Sequence, residues 1–223
     1  MPRLCTTTAL ALGLLLQACT LPASYSYKKE IVMLEVIKLS PRLQQLFAKT
    51  KLVCIGRYAL EVPIEAVLNW GPAHFPANID VIHGGMEAAN KRVASDVAKI
   101  KEKDKTAQFI YNQTGPVQGS WQIRFYEDDL SAKKKYDLLT TRTYINRGDT
   151  TFITGWITGS DASEIQKQTY VAKNLRLRAV DEVPDEPGFC IEEGFVPENR
   201  YDDQEIVNAG IYLPSLPDIN FLD

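Results

Sequence analysis

The chain is predicted to fold as an α+β domain, mainly antiparallel sheet with two packed helices, followed by the start of a second, truncated α+β domain. Three observations carry this expectation. Strand-forming runs succeed one another across short turns, and neighbours joined that way must pair antiparallel. Two segments instead place apolar residues at helical spacing. Finally, the acidic, proline-bearing stretch 181–187 separates a first domain at 41–180 from the remaining residues, 188–223.

The start of the chain has one basic group, Arg3, an apolar run from Ala9 to Leu16, and then Leu16-Gln17-Ala18-Cys19. That run is too short to cross a bilayer as a helix, which takes roughly 20 apolar residues. It has the size and flanks of a signal-peptide core. Leu16, Ala18 and Cys19 resemble the bacterial lipobox, with Gln17 a less usual third member. Residues 1–18 are therefore read as a signal peptide, Cys19 as the acylated new N-terminus, and 19–40 as a lipidated tether. Several acyl chains on one cysteine give stable attachment. Thr20 after the cysteine points to the inner leaflet of the outer membrane, facing the periplasm. The alternatives are ordinary secretion with cleavage near Ala18, or an uncleaved anchor.

Ser40-Pro41 reads as an N-cap and first helical position, with Leu43, Leu46 and Phe47 on one apolar edge. The run from Leu52 to Val62 is rich in strand formers and stops at Pro63. A second short strand, Ile79 to His83, ends at Gly84-Gly85. The clearest helix follows, since Met86, Ala89, Val93, Val97 and Ile100 recur at spacings of three and four while Glu87, Lys91, Asp96 and Lys99 fall elsewhere. Strands are expected over 107–113, 120–127, 138–146 and 150–158. In the second of these, Trp121, Ile123 and Phe125 alternate with Gln122, Arg124 and Tyr126, as in a sheet with one face in the core. A final helix starts near Asp161, with Glu164 completing a capping box, and runs to about Leu175. Beyond the linker lie two more strand-like runs, Phe189 to Val196 and Gln204 to Leu213. A piece under about 40 residues seldom holds its own core, so it leans on the first domain or opens a domain whose remainder is missing.

Composition narrows the function classes. Without the signal peptide, 24 basic residues face 28 acidic ones, so the basic excess of a nucleic-acid binder is lacking. No later apolar stretch spans a membrane, which leaves the lipid as the membrane attachment. With Cys5 in the signal and Cys19 acylated, Cys54 and Cys190 remain as a candidate disulfide in an oxidising compartment. Joined, they close a loop that the chain-entropy argument values at roughly 4 to 5 kcal/mol before strain; the alternative is two separate buried thiols.

Candidate reaction centres do not assemble. His83-Gly84-Gly85 looks like an oxyanion loop, but the chain has no Gly-x-Ser-x-Gly elbow, so it reads as a strand end turning into a helix. His74, Asp80 and His83 lack the fixed spacing of a metal site. The segment from Gly115 to Ser120 lacks the Gly-Lys-Ser/Thr ending of a phosphate loop. Arg147-Gly148-Asp149 has what a tight turn needs for backbone reasons alone, and Lys133-Lys134-Lys135 is a short solvated run. No spacing singles out a carboxylate pair for acid/base work. Neither cofactor nor metal is expected, and the chain offers a binding surface more readily than a reaction centre.

Two motifs carry a family resemblance. Val53-Cys54-Ile55-Gly56-Arg57-Tyr58, continued to Glu61-Val62-Pro63, resembles the opening signature of the N-terminal domain of type VI secretion lipase immunity proteins, in the cognate-immunity family of the fourth lipase-effector class. Pro187-Gly188-Phe189-Cys190-Ile191, with Gly194-Phe195 after it, resembles the start of that family's C-terminal domain. The resemblance covers roughly residues 45 to 223. It implies a periplasmic, two-domain, non-enzymatic protein that binds a phospholipase toxin delivered by another cell and blocks its access to lipid. Against the family's C-terminal domain of well over a hundred residues, this chain stops 36 residues in, which predicts a shortened copy. Gly56, Arg57, Tyr58, Pro63, Gly188 and Phe189 are expected to be structural, since the first three sit inside a predicted strand. Glu192, Glu193, Asp202 and Asp203 are offered as acidic groups that steer a basic toxin surface. The competing expectation is a lipid-anchored envelope lipoprotein with a structural or small-ligand-binding role.

Overall fold

The computed structural model describes residues 40–75, 77–134, 139–158, 162–199, 205–216 and 220–222. The expected signal peptide, Cys19 and all of the tether before Ser40 lie outside the described residues, as do Asp202, Asp203 and the expected helix start at Asp161. Ser40–Asp223 forms one compact unit.

Helix α1 (Pro41–Leu46) begins as the sequence predicts, with Ser40 as N-cap and Pro41 at the first position. Only part of its apolar edge packs: Leu46 joins a cluster with Val53, Val62, Ala66 and Leu213, while Leu43 and Phe47 stay exposed.

The expected strand from Leu52 to Val62 is instead a hairpin, β1 (Thr50–Ile55) and β2 (Tyr58–Pro63), paired from Thr50↔Pro63 to Ile55↔Tyr58. The connection is only Gly56-Arg57, and Gly56 has φ +57°. A two-residue hairpin needs positive φ at its first central position, which glycine adopts without cost. Strand formers on both sides of that glycine hide the turn from a composition-based reading.

The next strand, β3 (Val67–His74), is one the sequence reading omits. Gly71-Pro72 in its middle argues against a strand, because proline lacks a ladder donor. The fold accommodates the pair at an irregularity: the register with β12 (Ile206–Tyr212) shifts between Val207 and Ala209, and Asn208 Nδ2 donates to the Pro72 carbonyl at 2.9 Å.

Strand β4 (Asn78–His83) leads into α2 (Gly85–Lys103), then β5 (Gln108–Thr114), β6 (Ser120–Tyr126), the short α3 (Asp129–Lys134), β7 (Leu139–Arg147), β8 (Thr150–Thr158) and α4 (Ala162–Asn174). After the two-residue β9 (Arg176–Leu177), the run expected as one strand from Phe189 is a second hairpin, β10 (Gly188–Ile191) and β11 (Gly194–Pro197), turning at Glu192-Glu193. Strand β12 and β13 (Asn220–Leu222) complete an eight-stranded antiparallel sheet in the order β13-β12-β3-β4-β8-β7-β6-β5.

Alternation along β7 and β8 sends residues to two different cores. On one face Tyr144 and Ile153 sit opposite each other with Ile123 and Phe125, and Val93, Val97 and Ile100 of α2 cover them. On the other, Ile145 and Phe152 join Val171, Ala172 and Leu175 from α4 and its end. Phe189, Ile191 and Val196 of β10 and β11 complete that second core. The C-terminal segment therefore leans on the first domain, and one of its strands, β12, pairs directly with β3.

Candidate functional site

The two family-like motifs are widely separated in sequence and adjacent in space. Cys54 on β1 and Cys190 on β10 form a disulfide, with Cα atoms 5.9 Å apart across 136 residues. Two residues on, Gly56 and Cys190 exchange a pair of backbone hydrogen bonds, at 2.9 and 2.7 Å. A Cβ at Gly56 would come within 3.0 Å of Val207 Cγ1 and 3.5 Å of the Phe189 ring. The motif glycine thus allows both the turn and the close approach of the C-terminal segment.

Arg57 extends the junction. Its Nε and Nη2 each meet a carboxylate oxygen of Glu205 at 2.5 Å, and Nη1 donates to the Glu198 carbonyl at 2.8 Å. The Glu205 side chain is 3% exposed, so this is a bidentate pair largely withdrawn from water. The guanidinium also lies over Phe75, whose ring stacks on Phe189 at 4.8 Å. Gly188 has no space for a side chain, since a Cβ there would sit 2.1 Å from Phe195 Cζ. Pro63 and Phe189 are buried, whereas Tyr58, the first residue of β2, is 70% exposed, and Gly56 and Arg57 form the turn before it.

Arg178 is a residue that sequence reasoning passed over. Nearly fully buried, it donates to the carbonyls of Gly194, Ala179, Glu182 and Ile191. Burial lowers its pKa. Arg176 holds the same stretch from outside, meeting Glu182 at 2.7 Å and Glu186 at 3.5 Å, and its hydrogen bond keeps the Glu182 carboxyl below its usual range. Val183 packs on the cluster of Cys54, Cys190 and Phe195. The acidic stretch expected as a linker is therefore fastened at several points. The signal available in sequence was two arginines just ahead of that acidic run.

The acidic turn Glu192-Glu193 has a structural duty. Glu193 adopts φ +51°, accepts from Thr150 Oγ1 at 2.8 Å and lies 3.6 Å from His83 Nδ1. Burial raises the pKa of neighbouring Glu192.

A third polar cluster lies under α2. Asp96, 3% exposed, accepts from Tyr144 Oη at 2.8 Å and Arg92 Nε at 3.1 Å, with Arg142 Nη1 at 3.4 Å. Burial, and then the bond to Asp96, push the Tyr144 phenol far above its usual range. The cluster pins the helix to the sheet.

The remaining motifs are corners. Gly84 and Gly85 donate to the Asp149 carbonyl at 3.0 and 2.8 Å, so the histidine-glycine-glycine segment joins β4 to α2. Arg147 Nη2 and Nε donate to the carbonyls of Ala172 and Leu175 at the end of α4. His74 meets Asn78 and His83 meets Glu193, and among the described residues no group of three metal-binding side chains gathers.

The fold and this junction define a class: an antiparallel α+β protein whose C-terminal segment is stapled, covalently and ionically, onto an N-terminal hairpin. Family comparison makes the class specific. The profile of the Tle cognate immunity protein 4 N-terminal domain matches residues 51–184, and that of the Tle cognate immunity protein 4 C-terminal domain matches residues 182–222. The chain belongs to the Tle cognate immunity protein 4 family.

Solved structures share the fold. The apo form of the immunity protein TplEi of the T6SS from Pseudomonas aeruginosa superposes with a TM-score of 0.60 at 20% identity, over 77% of this chain and 58% of that one. The Tle4-Tli4 complex gives 0.58 at 20% identity, over 75% and 56%. TplEi complexed with the "L" peptide gives 0.55 at 19% identity, over 77% and 56%. This chain thus spans less than two thirds of the length of the solved chains it matches. A comparison with curated proteins finds no match.

Proposed function

We propose that this protein binds a type VI secretion phospholipase effector in the periplasm and blocks it, protecting the cell from hydrolysis of its own membrane lipid without catalysing a reaction. The observation that carries this reading is the ordered match to both domains of an immunity family, with the motif residues of the two segments fastened together. A bound relative supports it, since one similar structure is a Tle4-Tli4 complex. Blocking the mouth of a lipase needs shape complementarity over about 1,600 Å² and no reacting group. Acylation of Cys19 would hold the inhibitor on the surface its target attacks, raising the effective concentration. Of the acidic groups, Glu192 with Asp202 and Asp203 are the ones we assign to steering, because the Glu193 carboxylate is already engaged by Thr150. The stretch 181–187 then serves as the joint between an N-terminal domain and a C-terminal one.

Co-expression with a candidate lipase effector directed to the periplasm tests the proposal. The expected result is lysis with the effector alone and survival, with a co-purifying complex, when this protein is present. Equal lysis in both cultures would overturn it. Mass spectrometry of the mature N-terminus separately checks acylation of Cys19.

A further inference from the structure

We infer that the α1 end of the molecule is a docking surface for an anionic lipid bilayer. Helix α1, the residues after β2 and the turn after β12 enclose an open groove of about 550 Å³. Leu46, Ile64 and Leu216 supply its apolar lining, and Arg42 and Lys49 its cations. Glu65 also lines it and accepts a hydrogen bond from Ser215. The spacing of Arg42, Leu46 and Lys49 keeps cations and apolar floor together along one side of α1 and its end.

The surroundings are apolar as well. Leu43 and Phe47, on either side of the lining residues of α1, and Ile64 in the lining itself are exposed large apolar side chains. Arg42 and Lys49 are both exposed, and neither is in an ion pair among the described residues. Exposed apolar side chains interleaved with unpaired cations match the headgroup boundary of an anionic bilayer, where apolar groups insert and each cation meets lipid phosphate. In sequence, α1 is the first element after the tether proposed for acylation at Cys19, so of all the described elements it is the one with the shortest reach of chain to the proposed lipid. Lipid and groove would then hold the molecule in one orientation, whether or not an effector is bound.

The test uses residues 40–223, which form a compact unit with their own apolar clusters, and therefore no acyl chain. They are co-sedimented with vesicles of phosphatidylethanolamine plus phosphatidylglycerol, and with phosphatidylcholine vesicles. Binding to the anionic vesicles alone is expected, weakening with salt. The pair Arg42→Gln and Lys49→Gln should lower it by about fivefold per charge removed, and Phe47→Ser with Ile64→Ser should lower it further. All four are surface changes, so the far-UV circular dichroism and urea midpoint should be unaltered, and effector capture should persist. Equal binding to both vesicle types, or anionic binding unchanged in the charge variant, would overturn the inference. Loss of effector capture in these variants with no vesicle binding by the parent would assign the surface to protein and overturn it equally.

Discussion

Arg57 and Glu205 lie 148 residues apart in sequence and meet through two parallel hydrogen bonds of 2.5 Å, with the glutamate almost fully buried. Truncating one partner leaves the other charge stranded, a loss of about 3–5 kcal/mol for a buried pair. Arg57→Ala should therefore destabilise strongly, while Arg57→Met with Glu205→Gln should recover part of the loss. Urea unfolding of the single and double variants decides this. A single-variant cost under about 1 kcal/mol would place the pair with ordinary surface bridges.

The disulfide closes a far larger loop than the hairpin it anchors. Replacing Cys54 and Cys190 by serine should lower stability by roughly 4 to 5 kcal/mol if the unfolded chain gains the full loop entropy. Because the same strands also meet through Gly56 and Arg57, the cysteine and Arg57 variants should not be additive. A double-mutant cycle read by denaturant midpoint measures that coupling.

Three glycines give an ordered series. A methyl at Gly188 would lie 2.1 Å from Phe195, whereas one at Gly56 meets Val207 at 3.0 Å with φ +57°, and one at Gly155 meets nothing within 4 Å. The order of damage on substitution by alanine should be Gly188 first, Gly56 second, and Gly155 neutral or slightly stabilising, since glycine weakens a strand by roughly 0.5–1 kcal/mol. Thermal midpoints of the three variants test the ranking, and a Gly155→Ala loss as large as that of Gly188→Ala would contradict it.

Asp96 accepts from a phenol and faces two guanidinium groups beneath α2. Removing the phenol in Tyr144→Phe deletes one hydrogen bond to a charged group, a cost of about 1.5–3 kcal/mol. Asp96→Asn should cost more, because it also leaves Arg92 and Arg142 without their shared counter-charge. Hydrogen exchange along α2 should accelerate in both.

Acid dependence follows from two glutamates shifted in opposite directions. The hydrogen bond from Arg176 lowers the Glu182 pKa on folding, so its stabilisation is present above the unfolded carboxylate range and is lost as pH falls through the folded value. Burial raises the Glu192 pKa, so its ionisation weighs on the fold as pH rises through the unfolded value. Glu182→Gln should flatten the acid side of the stability curve, and Glu192→Gln should raise stability near neutrality. Urea midpoints between about pH 3 and 7 read both slopes.

Element types were legible in the amino-acid pattern wherever one periodicity ran unbroken. The stripe from Ala89 to Ile100 specified α2, and alternation at Trp121, Ile123 and Phe125 specified β6 and its inward face. The sequence also offered Cys54 and Cys190 as a candidate bridge, with two separate thiols as the alternative, and the packing of β1 against β10 makes the bond. Where a single glycine or a pair of glutamates divided a continuous strand-forming run, at Gly56 and at Glu192-Glu193, composition could not show the turn. Tertiary structure alone decided that β3 survives Gly71-Pro72, since the accommodating Asn208 lies 136 residues away. It decided equally that Glu205 belongs to Arg57 and that Arg178 holds the carbonyls of Ala179, of Glu182 in the acidic stretch, and of Ile191 and Gly194 in the second hairpin. Local pattern records which face of an element turns inward. Partners for buried charges and orphaned carbonyls are chosen only when distant segments pack, because their desolvation cost arises only there.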